Sequence, residues 1–388
     1  MSVIAGRPTG AEREPRFGSR FEPGDLAGEP ALTTLLSDLG LGRFEPDRLE
    51  SYGGRNDNWA GATTSGRPVF VKKIPRDTGA PFDGFTRSIA FETNRAAGGG
   101  PPSPACLGWH AASGVLVFEL VAGARSGAEL LADGKFEPRH SRQAGRATAR
   151  LHQLPVDPAN VDSSACPLPS VDWLTALPWN VFATSSMAQL EALRIMQDDH
   201  EFGDAVRRLR QGEKRAPAVP IHADLRLDQL LVCADGQVSL VDWEEFRLGD
   251  PARDVGTVVG EFLYQMTAAI RLDEPADADT GTGMGSKVTD DDIVNRCIAG
   301  LRRQRPLVRE FCAGYREVRE FSGDDAVRAT AFAGWHLFDR LYVSAREKSR
   351  LSPLNRAAAG VGRTVMLRAS DAAGLLGLSP VDGSGERR

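Results

Sequence analysis

The chain has 388 residues, 41% of them apolar, and a formal charge of −5 at neutral pH. That length supports two lobes or domains with real cores, and an acidic balance with no long basic run argues against nucleic acid or an anionic membrane as the main partner. Five cysteines (Cys106, Cys166, Cys233, Cys297 and Cys312) are scattered without a C-x-x-C pair, and no stretch of eighteen apolar residues occurs, so a disulfide framework, a zinc site, a signal peptide and a membrane span are not expected, and the cytoplasm is.

Residues 1–28 are rich in Gly, Pro, Arg and Glu and poor in large apolar groups, which predicts a flexible tail. From Ala31 the pattern ALTTLLSDLGL predicts a short amphipathic helix, and SYGGRNDNWAGATTSGRPVFVKKI predicts strand, Gly-rich turn, strand, turn, strand. FTRSIAFETNRAA has helical periodicity and ends at Gly98–Pro102, after which GVLVFELVAG reads as a buried strand. These elements make a β-rich lobe over residues 29–122.

Beyond Gly123 the periodicity is helical at SRQAGRATARLHQL, at MAQLEALRIMQDDHEFGDAVRRLR and at DDAVRATAFAGWHLFDRLYVSAREKS. Between them DQLLVCADG and QVSLVDW predict two short strands joined by a hairpin at Ala234-Asp235-Gly236. The polar, Gly-rich stretch from Glu274 to Asp292 predicts an inserted loop. The expected class is α+β, with a small β-rich lobe, a larger mainly helical lobe over 123–375, and a flexible tail over 376–388.

The string IHADLRLDQLLV, followed after the hairpin by LVDWEEFRLGDPARDVG, carries the chemistry. It sets Asp224, Gln229 and Asp242 around adjacent strand edges and turns. Phosphoryl transfer needs such a group, because its charge sits on phosphate oxygens and catalysis is mostly positioning plus cationic stabilisation. On this reading Asp224 orients and deprotonates an acceptor hydroxyl, the Gln229 carbonyl and the Asp242 carboxylate hold magnesium, and Arg226 aims a fixed charge at the phosphates. The plainer reading of HADLRLDQ is a surface turn with solvated acids.

The string resembles the H-x-D-x-x-x-x-N loop and following metal-binding Asp of the aminoglycoside phosphotransferase and choline kinase group, whose fold is protein-kinase-like and bilobal. It departs from that pattern at Gln229, where the group has Asn, and at Ala223, where it has Gly. The resemblance implies ATP and Mg2+ as cofactors. It makes Lys72 in VFVKKI the phosphate contact, Glu92 on the next helix its ion-pair partner, the Gly53–Gly54 turn a cover over the phosphates, and the main chain from Glu119 to Val121 the adenine-binding hinge. It gives His222 and His152 structural roles, and gives Asp250 and Asp254 the tasks of bracing the catalytic loop and capping the next helix.

The resemblance spans residues 48 to 350 and leaves the acceptor open. An aminoglycoside site would draw on acids such as those of DEPADADTGTG and TDDDIV. HADLRLDQ, VDWEEFRLGDPARDVG and LEALRIMQDD resemble more specifically the kinase subunits of class V lanthipeptide and thioamitide pathways, which implies a Ser or Thr hydroxyl of a precursor peptide and a separate lyase as partner. The expected acceptor is therefore a peptide. The alternatives are a small-molecule hydroxyl of the aminoglycoside type and a pseudokinase-like subunit that binds a leader peptide or partner protein, the latter motivated by Gln229.

Overall fold

Alternation along VFVKKI puts Val69 and Val71 on one face of a strand and Phe70 and Lys72 on the other, and the computed structural model follows this pattern, with both valines fully buried. The structure describes residues 20–21, 26–46, 49–52, 56–271, 290–346 and 348–379. The Gly53–Gly54 turn and most of the expected tails and of the 274–292 loop lie outside the described residues.

In chain order the first lobe comprises β1 (Arg20–Phe21), α1 (Pro30–Asp38), β2 (Ser51–Tyr52), β3 (Asp57–Ala62), β4 (Pro68–Lys73), α2 (Gly84–Ala96), β5 (Cys106–His110) and β6 (Val115–Glu119). Four strands form an antiparallel sheet in the order β3-β4-β6-β5, and β1 pairs with β2. One face of the sheet packs Trp59, Val69, Val71, Val115 and Val117 against Leu32 and Leu36 of α1. On the other face Leu116 meets Ile74 and Phe85, the latter from α2. Asp83 caps α2 by accepting from the N–H of Thr86 at 2.7 Å, which fixes where the helix starts.

The second lobe continues with β7 (Arg125–Ser126), α3 (Gly127–Ala132), α4 (Pro138–Leu151), α5 (Trp179–Thr184), α6 (Met187–Asp198), α7 (His200–Arg215), β8 (Val219–Ile221), β9 (Leu230–Val232), β10 (Val238–Leu240) and β11 (Arg247–Gly249). It ends with α8 (Ala252–Arg271), α9 (Asp290–Arg316), α10 (Gly323–Ser344), α11 (Pro353–Leu367) and α12 (Ala369–Leu376). The β9–β10 hairpin forms at Ala234–Gly236, with Gly236 at φ +82° as such a turn requires. The second lobe is thus mainly helical around one large core, and the molecule has the bilobal α+β architecture expected from the sequence.

Two details position the site. The helix expected as one run from Met187 breaks at Asp199, whose carboxylate accepts from the N–H of Phe202 and is gripped by Arg363 of α11. Helices α8 and α10 approach closely because Gly256 and Gly260 lack side chains: a Cβ on Gly256 would lie 2.4 Å from Cβ of Phe332. That approach carries Glu261 and His336 to each other beside the cleft. Among the described residues no helix is long and apolar enough to cross a membrane.

Candidate active site

Strand β8 delivers the chain to His222, Ala223 and Asp224, and a buried carboxylate holds the turn that follows. Asp254, one turn into α8, accepts from the backbone N–H of His222 at 2.7 Å and of Ala223 at 2.8 Å. Its Oδ2 also meets Nε2 of His152 at 3.0 Å, and the other nitrogen of that ring lies 2.7 Å from the Tyr315 hydroxyl. Burial opposes the charge of Asp254, but the bonds to His152 and the loop outweigh it and hold the carboxyl below its ordinary value. Asp250 accepts from the N–H of Ala252 and from Arg328, so of the two acids one braces the loop and the other starts α8.

Ala223 adopts φ +65° and Asp242 φ +74°, left-handed conformations that are uncommon for non-glycine residues and that flank the site on both sides. The ring of His222 bonds through Nε2 to the Val241 carbonyl at 2.9 Å. The main-chain carbonyl of Gln229 accepts from the N–H of Val241 at 3.1 Å. These two bonds lock the loop carrying Asp224 to the strand end carrying Asp242. Gln229 is buried, and its side-chain amide makes no hydrogen bond among the described residues while lining the cleft. Arg226 lies 3.2 Å from Asp224 and 3.4 Å from Asp228, and although burial opposes its charge these two acids hold the guanidinium firmly protonated.

Lys72 projects from β4 across to the second lobe, where its Nζ donates to Oδ1 of Asp242 at 2.6 Å and also pairs with Glu244. Burial works against its charge, but Asp242 and Glu244 raise its pKa above the ordinary value. Asp242 is depressed to about 2: burial opposes this shift, and Lys72 overcomes it. Glu244 is shifted upward, by burial first and then by the neighbouring charge of Asp242, which together outweigh Lys72. Asn56, beside the Gly-rich turn, donates to Glu244. Lys73 points away and pairs with Glu29, as strand alternation requires.

The Lys72–Glu92 ion pair expected from the sequence does not form. Glu92 is held by Arg95, three residues on in α2, at 2.7 Å, and its other carboxylate oxygen is buried without a partner. Glu244 takes the place intended for it and was missed, although VDWEE sets it two residues from Asp242. Burial shifts the Glu92 carboxyl upward.

Lys72, Asp224, Arg226, Gln229, Asp242, Glu119 and Val121 all line one cleft of about 1520 Å3 between the lobes. Gly53 and Gly54 fall outside the described residues, so their relation to the cleft is not assigned.

The sequence matches the family described as the phosphotransferase enzyme family over residues 51–286. No curated protein sequence matches it. Among solved structures, an amicoumacin kinase in complex with AMP-PNP, Ca2+ and amicoumacin superimposes with a TM-score of 0.53 at 13% identity, covering 88% of this chain and 94% of that one. A Plasmodium vivax ethanolamine kinase superimposes with a TM-score of 0.52 at 10% identity, over 88% of this chain and 86% of that one. At these identities the likeness is one of fold.

Proposed function

Because the chain belongs to the phosphotransferase enzyme family, and so is an ATP-dependent phosphotransferase acting on an alcohol group, we propose that it transfers the γ-phosphate of magnesium-bound ATP to a Ser or Thr hydroxyl of a peptide. The observation that carries the site assignment is the meeting of Lys72 with Asp242 across 170 residues of sequence, on the same cleft as Asp224 and Gln229. Adenine would bond to the main chain between Glu119 and Val121, and Lys72 would hold the phosphates once they displace its carboxylate partners. Asp224 orients the acceptor hydroxyl and receives its proton. Arg226, 3.2 Å from that carboxylate, holds it in place.

The donor set fits a hard divalent cation: a carboxylate on Asp242 and an unengaged amide carbonyl on Gln229 are both oxygen ligands. Among the described residues no three His, Cys, Asp or Glu side chains gather to hold a metal alone, so a cation here would take its remaining ligands from phosphate and water. When bound it neutralises the charge of the transferring phosphate.

Two observations support a bulky acceptor. The cleft exceeds the roughly 300–1,000 Å3 of an ordinary small-molecule site, leaving room for more than a nucleotide, and Arg226 places a cation two residues after Asp224, as in protein kinases. The fold likeness to an amicoumacin kinase favours a second reading, in which the acceptor is a small-molecule hydroxyl. Mass spectrometry of the protein with ATP and magnesium, against Ser/Thr-rich peptides and an amino-alcohol and aminoglycoside panel, decides between them. Asp224→Asn is the control, expected to lose about 100- to 10,000-fold in kcat while staying folded. Phosphate appearing only on small molecules refutes the peptide reading, and turnover undiminished in the control refutes the role of Asp224.

A further inference from the structure

Helix α5 presents two faces of opposite character at the mouth of the cleft. Val181, Thr184 and the following Ser185 line the cleft itself. Trp179 and Phe182 of the same helix are 77% and 47% exposed and stack on each other, with ring centroids 5.7 Å apart and planes 28° apart. Met187 of α6 and Val343 of α10 are also exposed, at 68% and 52%, and the start of α6 is fastened to the end of α10 by the Ser186 hydroxyl bonding to the Ala345 carbonyl at 2.6 Å. An isolated exposed apolar residue needs no explanation, but a stacked aromatic pair with apolar neighbours on the rim of a reaction cleft does.

We propose that this rim is a docking surface for an apolar, extended segment of the acceptor chain, next to the residue that receives phosphate. The inference rests on the peptide reading above and deepens it. Trp179 and Phe182 face outward while their helix neighbours face in, so a ligand confined to the cleft does not reach them and only one that runs out over the rim does. Trp179, Phe182 and Met187 offer aromatic and aliphatic groups, which selects apolar side chains in the segment, while the exposed Arg346, three residues after Val343, adds one cation at the cleft edge. Rigid aromatic side chains of this kind are where binding energy concentrates at interfaces.

The test uses the full chain and two synthetic peptides with one Ser each, identical except that one carries Leu and Phe after the Ser and the other Ser and Gly. The native protein should favour the apolar peptide. Trp179→Ala with Phe182→Ala should raise its KM about tenfold or more, with kcat, the KM for ATP and turnover of the polar peptide unchanged, and Trp179→Phe should restore much of the loss. If the native protein phosphorylates both peptides with equal KM, or the double variant leaves the apolar peptide unaffected, the docking surface is refuted while the peptide reading stands. If only small molecules are phosphorylated and neither peptide binds by fluorescence anisotropy, both fail. If the double variant instead changes the oligomeric state seen by light scattering, the rim contacts a second copy and the proposal is overturned.

Discussion

Replacing Asp254 by Asn would remove a single charge from the interior and change one atom's bonding capacity. The carboxylate accepts from two backbone N–H groups, at 2.7 and 2.8 Å, through different oxygens, and from His152 at 3.0 Å. An amide has one acceptor oxygen, so one backbone donor would face an NH2 group. The loss combines a charge-assisted bond worth about 1.5–3 kcal/mol with an orphaned buried donor costing about 1–3 kcal/mol, or about 2.5–6 kcal/mol together. In a chain of this size that lowers Tm by about 3–7 °C. Because the same bond holds Ala223 at φ +65°, Asp224 should lose its fixed position and kcat should fall about 10- to 100-fold, with the KM for ATP little changed, since Lys72 and the hinge are untouched. Thermal unfolding and steady-state kinetics on purified Asp254→Asn measure both effects. A Tm within about 2 °C of native together with full kcat would refute the claim that this carboxylate holds the loop.

Glu261, buried beside His336 at 2.7 Å, sits at about 2 against an ordinary 4.5, although burial pushes the other way. A depressed carboxylate stabilises the fold above its unfolded pKa and loses that stabilisation as pH falls through the folded one, here about 3 kcal/mol lost between pH 4.5 and 2; Glu261→Gln should flatten urea midpoints over that window. Lys72→Met should cut kcat/KM for ATP by about 100-fold or more, whereas Glu92→Gln should stay within about twofold of native; equal losses in both would restore Glu92 as its partner. Ala223→Gly should relieve about 1–2 kcal/mol of left-handed strain and give back about 0.5–1 through unfolded-state entropy, for a net gain of at most about 1.5 kcal/mol in urea titrations.

What the sequence made legible was whatever neighbouring residues decide. Alternation in VFVKKI separated Lys72 from Lys73, and the spacing across the β9–β10 hairpin put Gln229 beside Val241 and hence near Asp242. The approach of Lys72 to Asp242 has no local signal, and the resemblance, which sets both on the phosphates, points to Glu92 as the partner of Lys72. Glu92 failed because a helical neighbour competes for it: Arg95 is three residues away on the same helix, and such pairs form without any tertiary arrangement. The break at Asp199 was invisible because QDDH contains neither Gly nor Pro, and the aspartate stops one helix by capping the next and meeting Arg363, a partner 164 residues away. The β8–β11 pair, three residues on each strand, is too short to show periodicity.

The double engagement of Lys72 changes what nucleotide binding is. With Asp242 and Glu244 already on its ammonium, the resting cleft carries an internal stand-in for phosphate, and Asn56 reaches over from the first lobe to hold it. Arrival of a triphosphate is then an exchange of anions around a fixed cation, not the capture of a charged ligand by a bare one. Of the two acids, Glu244, shifted upward by burial and by the charge of Asp242, is the less firmly charged partner and the one more readily exchanged.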